Sequence, residues 1–453
     1  MILGAFNIVG PNHNFPTWRQ ADGKSLVWDD LEYWKGLARL LESAGFDFLF
    51  FADNYGYPVI DGAVPPEVLT EGIMFPTLDP VVIVSALVDA TEEIGLVVTS
   101  STMTEHAYGF ARRFATLDKL SNGRIGWNIV TGTAQATLSK LFGFDSTMMH
   151  GDRYAKADEY VELATRLWET SWEDDAWRND PAVGLIDPTR VHEVEYSGEY
   201  LSTAGMFPVP PTRQRTPVLF QAGTSERGRR FAAQHAEAVF VNPDKIVTVA
   251  DWSADIRRRA VEAGRDAGDI QLLTSATVIV APTEAEAIAK REAIEAEYTY
   301  DAAAVWFAGF TGIDMRSFAP DEPIPDVSTE EGKSDLERYV SMGKRPTPRQ
   351  IVEEFLSIGG HDFMFVGTPE QVADKMIETM AASGLDGFML EPTVGNDVGY
   401  REFVESVLPL LREKGAVGPA RGGVSLRERL FPGQGDRISV RHPDSPQRMG
   451  EDQ

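Results

Sequence analysis

PVLFQAGTSERGRRFAAQHAEAVFVNP, residues 217–243, sets two apolar runs on either side of a short polar segment. An apolar run that stops at glycine, gives way to a helical pattern and then to a second apolar run reads as one strand-helix-strand unit. QAGTSERG at its turn has two readings. Its helix can start against a bound anion, which free first-turn amides and the helix dipole favour, or the stretch is an ordinary connection with a Ser or Thr cap.

Working outward, eight apolar runs repeat the pattern: 2–9, 46–53, 95–102, 124–133, 217–224, 237–243, 271–280 and 385–392. Most are continuous and not alternating, as parallel strands covered on both faces require. Amphipathic segments such as DDLEYWKGLARLLESA (29–44) and GTPEQVADKMIETMAAS (367–383) lie between them. Eight such units predict a closed (β/α)8 TIM-like barrel. A doubly wound open sheet is the rival, but no glycine-rich dinucleotide turn follows the first run. Residues 1–414 then form one barrel domain with insertions at about 133–216 and 281–384, at the C-terminal face where lids and pocket walls are built. The polar tract from Gly415 to Gln453 reads as a C-terminal extension over the surface, its end disordered.

The formal charge of -27 repels nucleic acid and anionic membranes, so a phosphate ligand must be held locally. The chain has no cysteine, which removes disulfides, thiolate nucleophiles and Cys-ligated metals. Its start lacks a basic leader, and no apolar run approaches the roughly 18 residues of a membrane helix. A cytoplasmic location is the expectation. The seven histidines form no close metal-ligand pair, and neither a G-x-S-x-G elbow nor a Walker A lysine is present.

At the strand ends stand Asn7, Asp53, Ser101, Asn128, Thr131 and Ser225, groups suited to holding a ligand that brings its own reactivity. Asp53 can accept from an imide or cap a helix. Asn128, in an apolar strand, needs a partner, either a neighbouring strand or a ligand. HGDRY (150–154) opens a helix where Arg and Tyr can meet a phosphate or can serve as a solvated cap and a core ring.

Three linked segments, RRFATLDKLSNGRIGWNIVTGT (112–133), HGDRYAKADEYVELATRLWETSWEDDA (150–176) and PVLFQAGTSERGRRFAAQHAEAVFV (217–241), resemble the bacterial luciferase-like flavin-dependent monooxygenases. Within that superfamily the chain is similar to the branch holding nitrilotriacetate monooxygenase, pristinamycin synthase and dibenzothiophene sulfone monooxygenase. The likeness runs from residue 2 to about 430 and includes WRQ (18–20), FVGTPEQVADKM (365–376), GLDGFML (384–390) and SLRERL (425–430).

The resemblance implies a barrel enzyme that receives reduced FMN (FMNH2) from a separate NAD(P)H:FMN reductase and uses O2 as co-substrate. It implies isoalloxazine contacts at Asp53 and Ser101, and Asn128 near the ring or ribityl chain. His150 and Tyr154 fall at the ribityl-phosphate end, and Gly223, Thr224 and Ser225 form the phosphate loop. His13, Thr131 and Thr133 are the candidate catalytic residues. Gly132 stands where several relatives carry Ser, so that hydroxyl is absent or moved to Thr133. His106 replaces a common Pro, which leaves its pocket role open. Phe6, Trp28, Phe50, Tyr55, Trp127, Phe307 and Phe310 are candidate apolar pocket walls, with the segment 306–314 against the substrate. These aromatics and the lack of a clustered Lys or Arg clamp favour a small organosulfur or nitrogen-heterocyclic substrate, and the branch's activities imply C–S or C–N cleavage after oxygenation. The alternatives are an aminopolycarboxylate monooxygenase, an F420-dependent oxidoreductase and a non-catalytic flavin binder. No metal is expected, and the expected assembly is a homodimer or homotetramer.

Overall fold

The computed structural model describes residues 1–11, 17–20, 27–132, 135–144, 148–223, 225–241, 246–297, 299–325, 346–357, 363–394 and 396–446. In chain order the strands are β1 (Ile2–Ile8), β2 (Phe48–Ala52), β3 (Gly95–Ser101), β4 (Ile125–Val130), β5 (Trp177–Asp180), β6 (Gly184–Ile186), β7 (Glu193–Ser197), β8 (Ser202–Met206), β9 (Val218–Gln221), β10 (Ala238–Phe240), β11 (Gln271–Val280), β12 (Phe363–Gly367) and β13 (Gly387–Glu391).

Eight of them pair in parallel as β1-β2-β3-β4-β9-β10-β11-β13, and β13 returns to β1. The pairings of β10 with β11 and of β13 with β1 close the ring, which excludes the open sheet. Each of the eight apolar runs supplies one barrel strand. A ninth strand, β12, went unread because FMFVG is short and leads straight into a helix. It pairs with Ala276–Val280, the half of β11 that runs beyond the ring. The hairpins β5-β6 and β7-β8 are antiparallel and lie in the long connection between β4 and β9.

Local chemistry starts and stops the surrounding helices. Asp79 caps Pro80–Ala90 by accepting from the Val81 amide, with Pro at the first helical position where its missing donor costs nothing. Thr368 and Gln371 make a capping box at Pro369–Ser383, and Gly384 ends that helix at φ 69°.

Two apolar layers result. Between sheet and helices, Phe110, Trp127, Tyr160 and Trp168 pack ring against ring. Inside the barrel lie Phe48, Phe50, Phe220, Phe240 and Met389. Glycines make room for them: a Cβ on Gly4 would fall 2.4 Å from the Phe48 ring. The floor is filled by Leu426, Leu430 and Phe431, from the helix Leu426–Leu430 and the residue after it. That part of the C-terminal segment is core, whereas its charged composition reads as surface.

A separate apolar cluster unites the helices Pro66–Thr70, Tyr300–Thr311 and Pro348–Ser357 through Val68, Val305, Phe307, Ile351 and Phe355. Gly309 lets it approach the strand-end loops, since a Cβ there would meet Pro58 at 2.9 Å and Met74 at 3.1 Å.

Candidate active site

At the C-terminal rim of the barrel a cavity of about 210 Å³ is lined by Phe6 and Ile8 of β1 and Pro11 after it, Ala52 at the end of β2 with Asp53 and Asn54 after it, Gly72 and Met74 to Thr77 of the next loop, and Trp306 and Phe310 of the helix Tyr300–Thr311. A second, smaller cavity of about 60 Å³ lies beside it, lined by Asp53, Asn54, Tyr55, Thr99, Ser101, Val130, Gly132 and Leu138. Asp53 and Asn54 belong to both walls. The larger space is apolar and the smaller carries hydroxyls and an amide.

Asp53 follows directly on β2, and burial, reinforced by the charge of Asp79 and opposed by the Asn54 amide, pushes its carboxyl up to about 7. Burial and Asp53 also raise the Tyr55 phenol. Ser101 ends β3, and its hydroxyl accepts from the Met103 amide at 3.2 Å. Asn128 points into the barrel. Its amide donates to Thr99 Oγ1 at 2.9 Å, and its buried carbonyl oxygen has no hydrogen-bond partner among the described residues. An orphaned acceptor of this kind is costly unless a ligand fills it. Thr131 follows β4, half-buried, beside Gly132 at φ 82°. His13, Thr133 and Thr224 lie outside the described residues.

The second group gathers after β9, the neighbour of β4, with Ile129 opposite Gln221. Ser225 caps the helix Glu226–His235, accepting from the Gly228 amide at 3.1 Å. Tyr154, on the helix His150–Glu169, faces Ser225; burial raises its phenol, against the effects of Ser225 and Arg227. Its ring lies 5.1 Å from that of His150. A Cβ on Gly223 would sit 2.8 Å from the Tyr154 hydroxyl, and one on Gly228 would sit 2.8 Å from the Gly223 carbonyl oxygen. Both glycines therefore draw turn, helix and phenol together at a helix N-terminus, where first-turn amides lack intrahelical acceptors. The donor set of this cradle fits a phosphate, and the orphaned carbonyl of Asn128 fits a polar ring or polyol edge.

Sequence reasoning missed several participants. Thr99 holds Asn128, Gln221 packs its amide against Gly223, and Met74 walls the larger cavity alongside the expected segment 306–314, which supplies Trp306 and Phe310. The run of three small polar residues that ends β3, Thr99 to Ser101, was the available signal for Thr99. Of the proposed aromatic walls, Phe6 and Phe310 line the larger cavity and Tyr55 the smaller. Phe50 lies deeper, stacked under Phe6 at 5.5 Å; Trp127 belongs to the outer layer and Phe307 to the helical cluster. His106 is a cap, accepting from the Tyr108 amide and donating to the Ser202 carbonyl. Arg19 is spent on Glu71 at 2.7 Å.

Residues 6–387 match the family model for luciferase-like monooxygenases. The chain belongs to the luciferase-like monooxygenase family. It is 36% identical to the long-chain alkane monooxygenase of Geobacillus thermodenitrificans, over 94% of this chain and 93% of that one. It is 34% identical to the dimethyl-sulfide monooxygenase of Hyphomicrobium sulfonivorans, over 98% and 92%. A crystal structure of riboflavin lyase with modified FMN and the substrate riboflavin superimposes with a TM-score of 0.93 at 37% identity, covering 98% of each chain. The named enzymes of this family are flavin-dependent monooxygenases, and the cofactor is a flavin. Among the described residues no helix is long and apolar enough to cross a membrane, and no cluster of metal-ligating side chains occurs.

Proposed function

We propose that this chain is the oxygenase of a two-component system, using reduced FMN from a separate NAD(P)H:FMN reductase and dioxygen to oxygenate a compact, largely apolar organic molecule. When bound, the reduced flavin supplies the electrons that activate dioxygen, so that one oxygen atom enters the substrate and the other leaves as water. The protein's part is to hold, orient and keep dry. Gly223 and Ser225, with Thr224 between them, hold the phosphate with His150 and Tyr154 alongside. Asn128 and Ser101 orient the ring end, and Asp53 holds or releases a proton at the boundary of the two cavities. Thr131, Thr133 and His13 are the remaining candidates at the reacting face. Phe6, Met74, Trp306 and Phe310 exclude water from the substrate.

The observation that carries this reading is the pairing of a polar and an apolar cavity across one carboxylate. Among the described residues lining the larger cavity none is Lys or Arg and Asp53 alone is ionisable, which argues for an organosulfur or nitrogen-heterocyclic molecule and against an aminopolycarboxylate. The alkane and sulfide monooxygenases among the relatives act on apolar molecules, in keeping with it. A cytoplasmic homodimer or homotetramer is part of the same reading, supported by exposed apolar residues such as Leu69, Leu78 and Val82.

The test is turnover with FMN, NADH, dioxygen and an unrelated FMN reductase, offering sulfones, thioethers, heterocycles, alkanes, riboflavin and aminopolycarboxylates, with product mass as the readout. A product one oxygen heavier, or its cleavage fragments, from an apolar substrate supports the reading. Turnover of aminopolycarboxylates alone defeats the apolar pocket, and NADH consumption without a reductase defeats the two-component scheme.

A further inference from the structure

The helix Glu226–His235 begins at the phosphate cradle and ends at a buried ionic cluster. His235, its last residue, is 2% exposed. Its Nδ1 lies 2.7 Å from Asp444 Oδ2 and its Nε2 lies 3.0 Å from Asp158 Oδ1. An ionised carboxylate only accepts, so both ring nitrogens must donate and the ring is an imidazolium. Burial opposes that charge, but Asp444 and Asp158 outweigh it and raise the group to about 9. The neighbouring histidine is its opposite. His442 donates from Nε2 to the His235 carbonyl and accepts at Nδ1 from the Asp444 amide, so it is neutral, and burial and Arg265 lower it to about 4.

Asp158 continues the line. Its other oxygen pairs with Arg227, whose guanidinium lies 5.2 Å above the ring of Tyr154, and the Tyr154 phenol is close enough to Ser225 to be lowered by it. Phe231 packs between the two ends, 5.5 Å from Tyr154 and 4.7 Å from His235. An unbroken chain of contacts therefore runs from Asp444, in the C-terminal segment, to the cradle.

We propose that His235 is a positioning residue for flavin phosphate: clamped by Asp444, it fixes Asp158 and through it the Arg227, Tyr154 and Ser225 side of the cradle. The same positive charge at the helix C-terminus offsets the dipole whose other end faces the phosphate. This inference rests on the proposed cradle and adds to it a dependence on a segment more than 200 residues away in sequence.

The test compares the affinities of FMN and riboflavin, which differ by the phosphate alone, in the parent, His235→Gln, the isosteric Asp444→Asn, and Ser225→Ala. The parent is expected to prefer FMN. His235→Gln should reduce that preference about tenfold and Asp444→Asn about threefold, with riboflavin affinity unchanged. A residue that merely stabilises the fold would lower the melting temperature and leave the FMN to riboflavin ratio intact, and that outcome overturns the proposal. If His235→Gln fails to fold, an unchanged ratio in Asp444→Asn overturns it equally. Loss of preference in Ser225→Ala alone rejects the relay while keeping the cradle. A parent with no preference for FMN rejects the cradle and this inference with it.

Discussion

Replacing Arg427 with Met removes half of a buried ion pair while keeping most of the side-chain volume. Arg427 is 2% exposed, and it donates to both oxygens of Glu237, at 2.6 and 2.8 Å, and to the carbonyls of Thr216 at 2.9 Å and Asp436 at 2.8 Å. Glu237 stands before β10 and also accepts from the Leu219 amide, so it cannot turn to solvent without giving up a strand contact. Arg427→Met should therefore cost about 3–5 kcal/mol, the penalty of leaving one buried charge uncompensated. In Arg427→Met/Glu237→Gln the stranded charge is gone, and at least about 2 kcal/mol of the loss should return, a coupling within the range found for residues in direct contact. The orphaned carbonyls of Thr216 and Asp436 keep the double variant below the parent. Urea unfolding followed by tryptophan fluorescence, with refolding checked, measures the four proteins. A single variant within about 1 kcal/mol of the parent, or a double variant that loses the sum of the two singles, refutes the reasoning.

As an acceptor for the flavin imide Asp53 is stronger when ionised, so binding of oxidised riboflavin should strengthen as pH rises through about 7 and Asp53→Asn should flatten the profile; a parent profile already flat excludes this role. Gly228→Ala sets a methyl group 2.8 Å from backbone at Gly223, and is expected to weaken FMN binding about tenfold while costing about 1–3 kcal/mol of stability, read by titration and melting. The His235 group is raised from 6.5 to about 9, so its contribution is complete below pH 6.5 and disappears as pH rises through 9; a melting temperature that falls over that window in the parent and not in His235→Gln is the expected result. Phe310→Ala should enlarge the apolar cavity and shift turnover toward longer or bulkier substrates, seen as a changed ratio of kcat/KM between short and long homologues.

The barrel was legible in the sequence because strands covered on both faces must be apolar at every position, and such runs stand out whatever surrounds them. The capped helix start after β9 was legible for a related reason: glycine, hydroxyl and helix start adjoin in the chain itself. What stayed hidden depends on contacts between distant segments. SLRERL looks like an exposed charged turn of helix, yet Leu426 and Leu430 enter the barrel and Arg427 is buried, because Glu237 waits there to neutralise it. QHAEAVF gives no sign that its histidine is charged, since both carboxylates that make it so come from elsewhere. Trp127 and Phe307 misled as pocket walls because neighbouring strand and helix positions point to opposite sides, and composition does not say which side is the mouth.

The floor of the barrel has a consequence for how the protein is made. Its plug, Leu426, Leu430 and Phe431, comes after every strand of the ring in chain order. A chain emerging from the ribosome can close β13 onto β1 while the lower rings of Phe48 and Phe220 still face an open hole. Its interior is sealed only once residues 426–431 have followed the last strand, so a chain cut shortly before residue 426 would keep a closed ring whose lower aromatic residues face an open end, the kind of exposed apolar surface that favours aggregation.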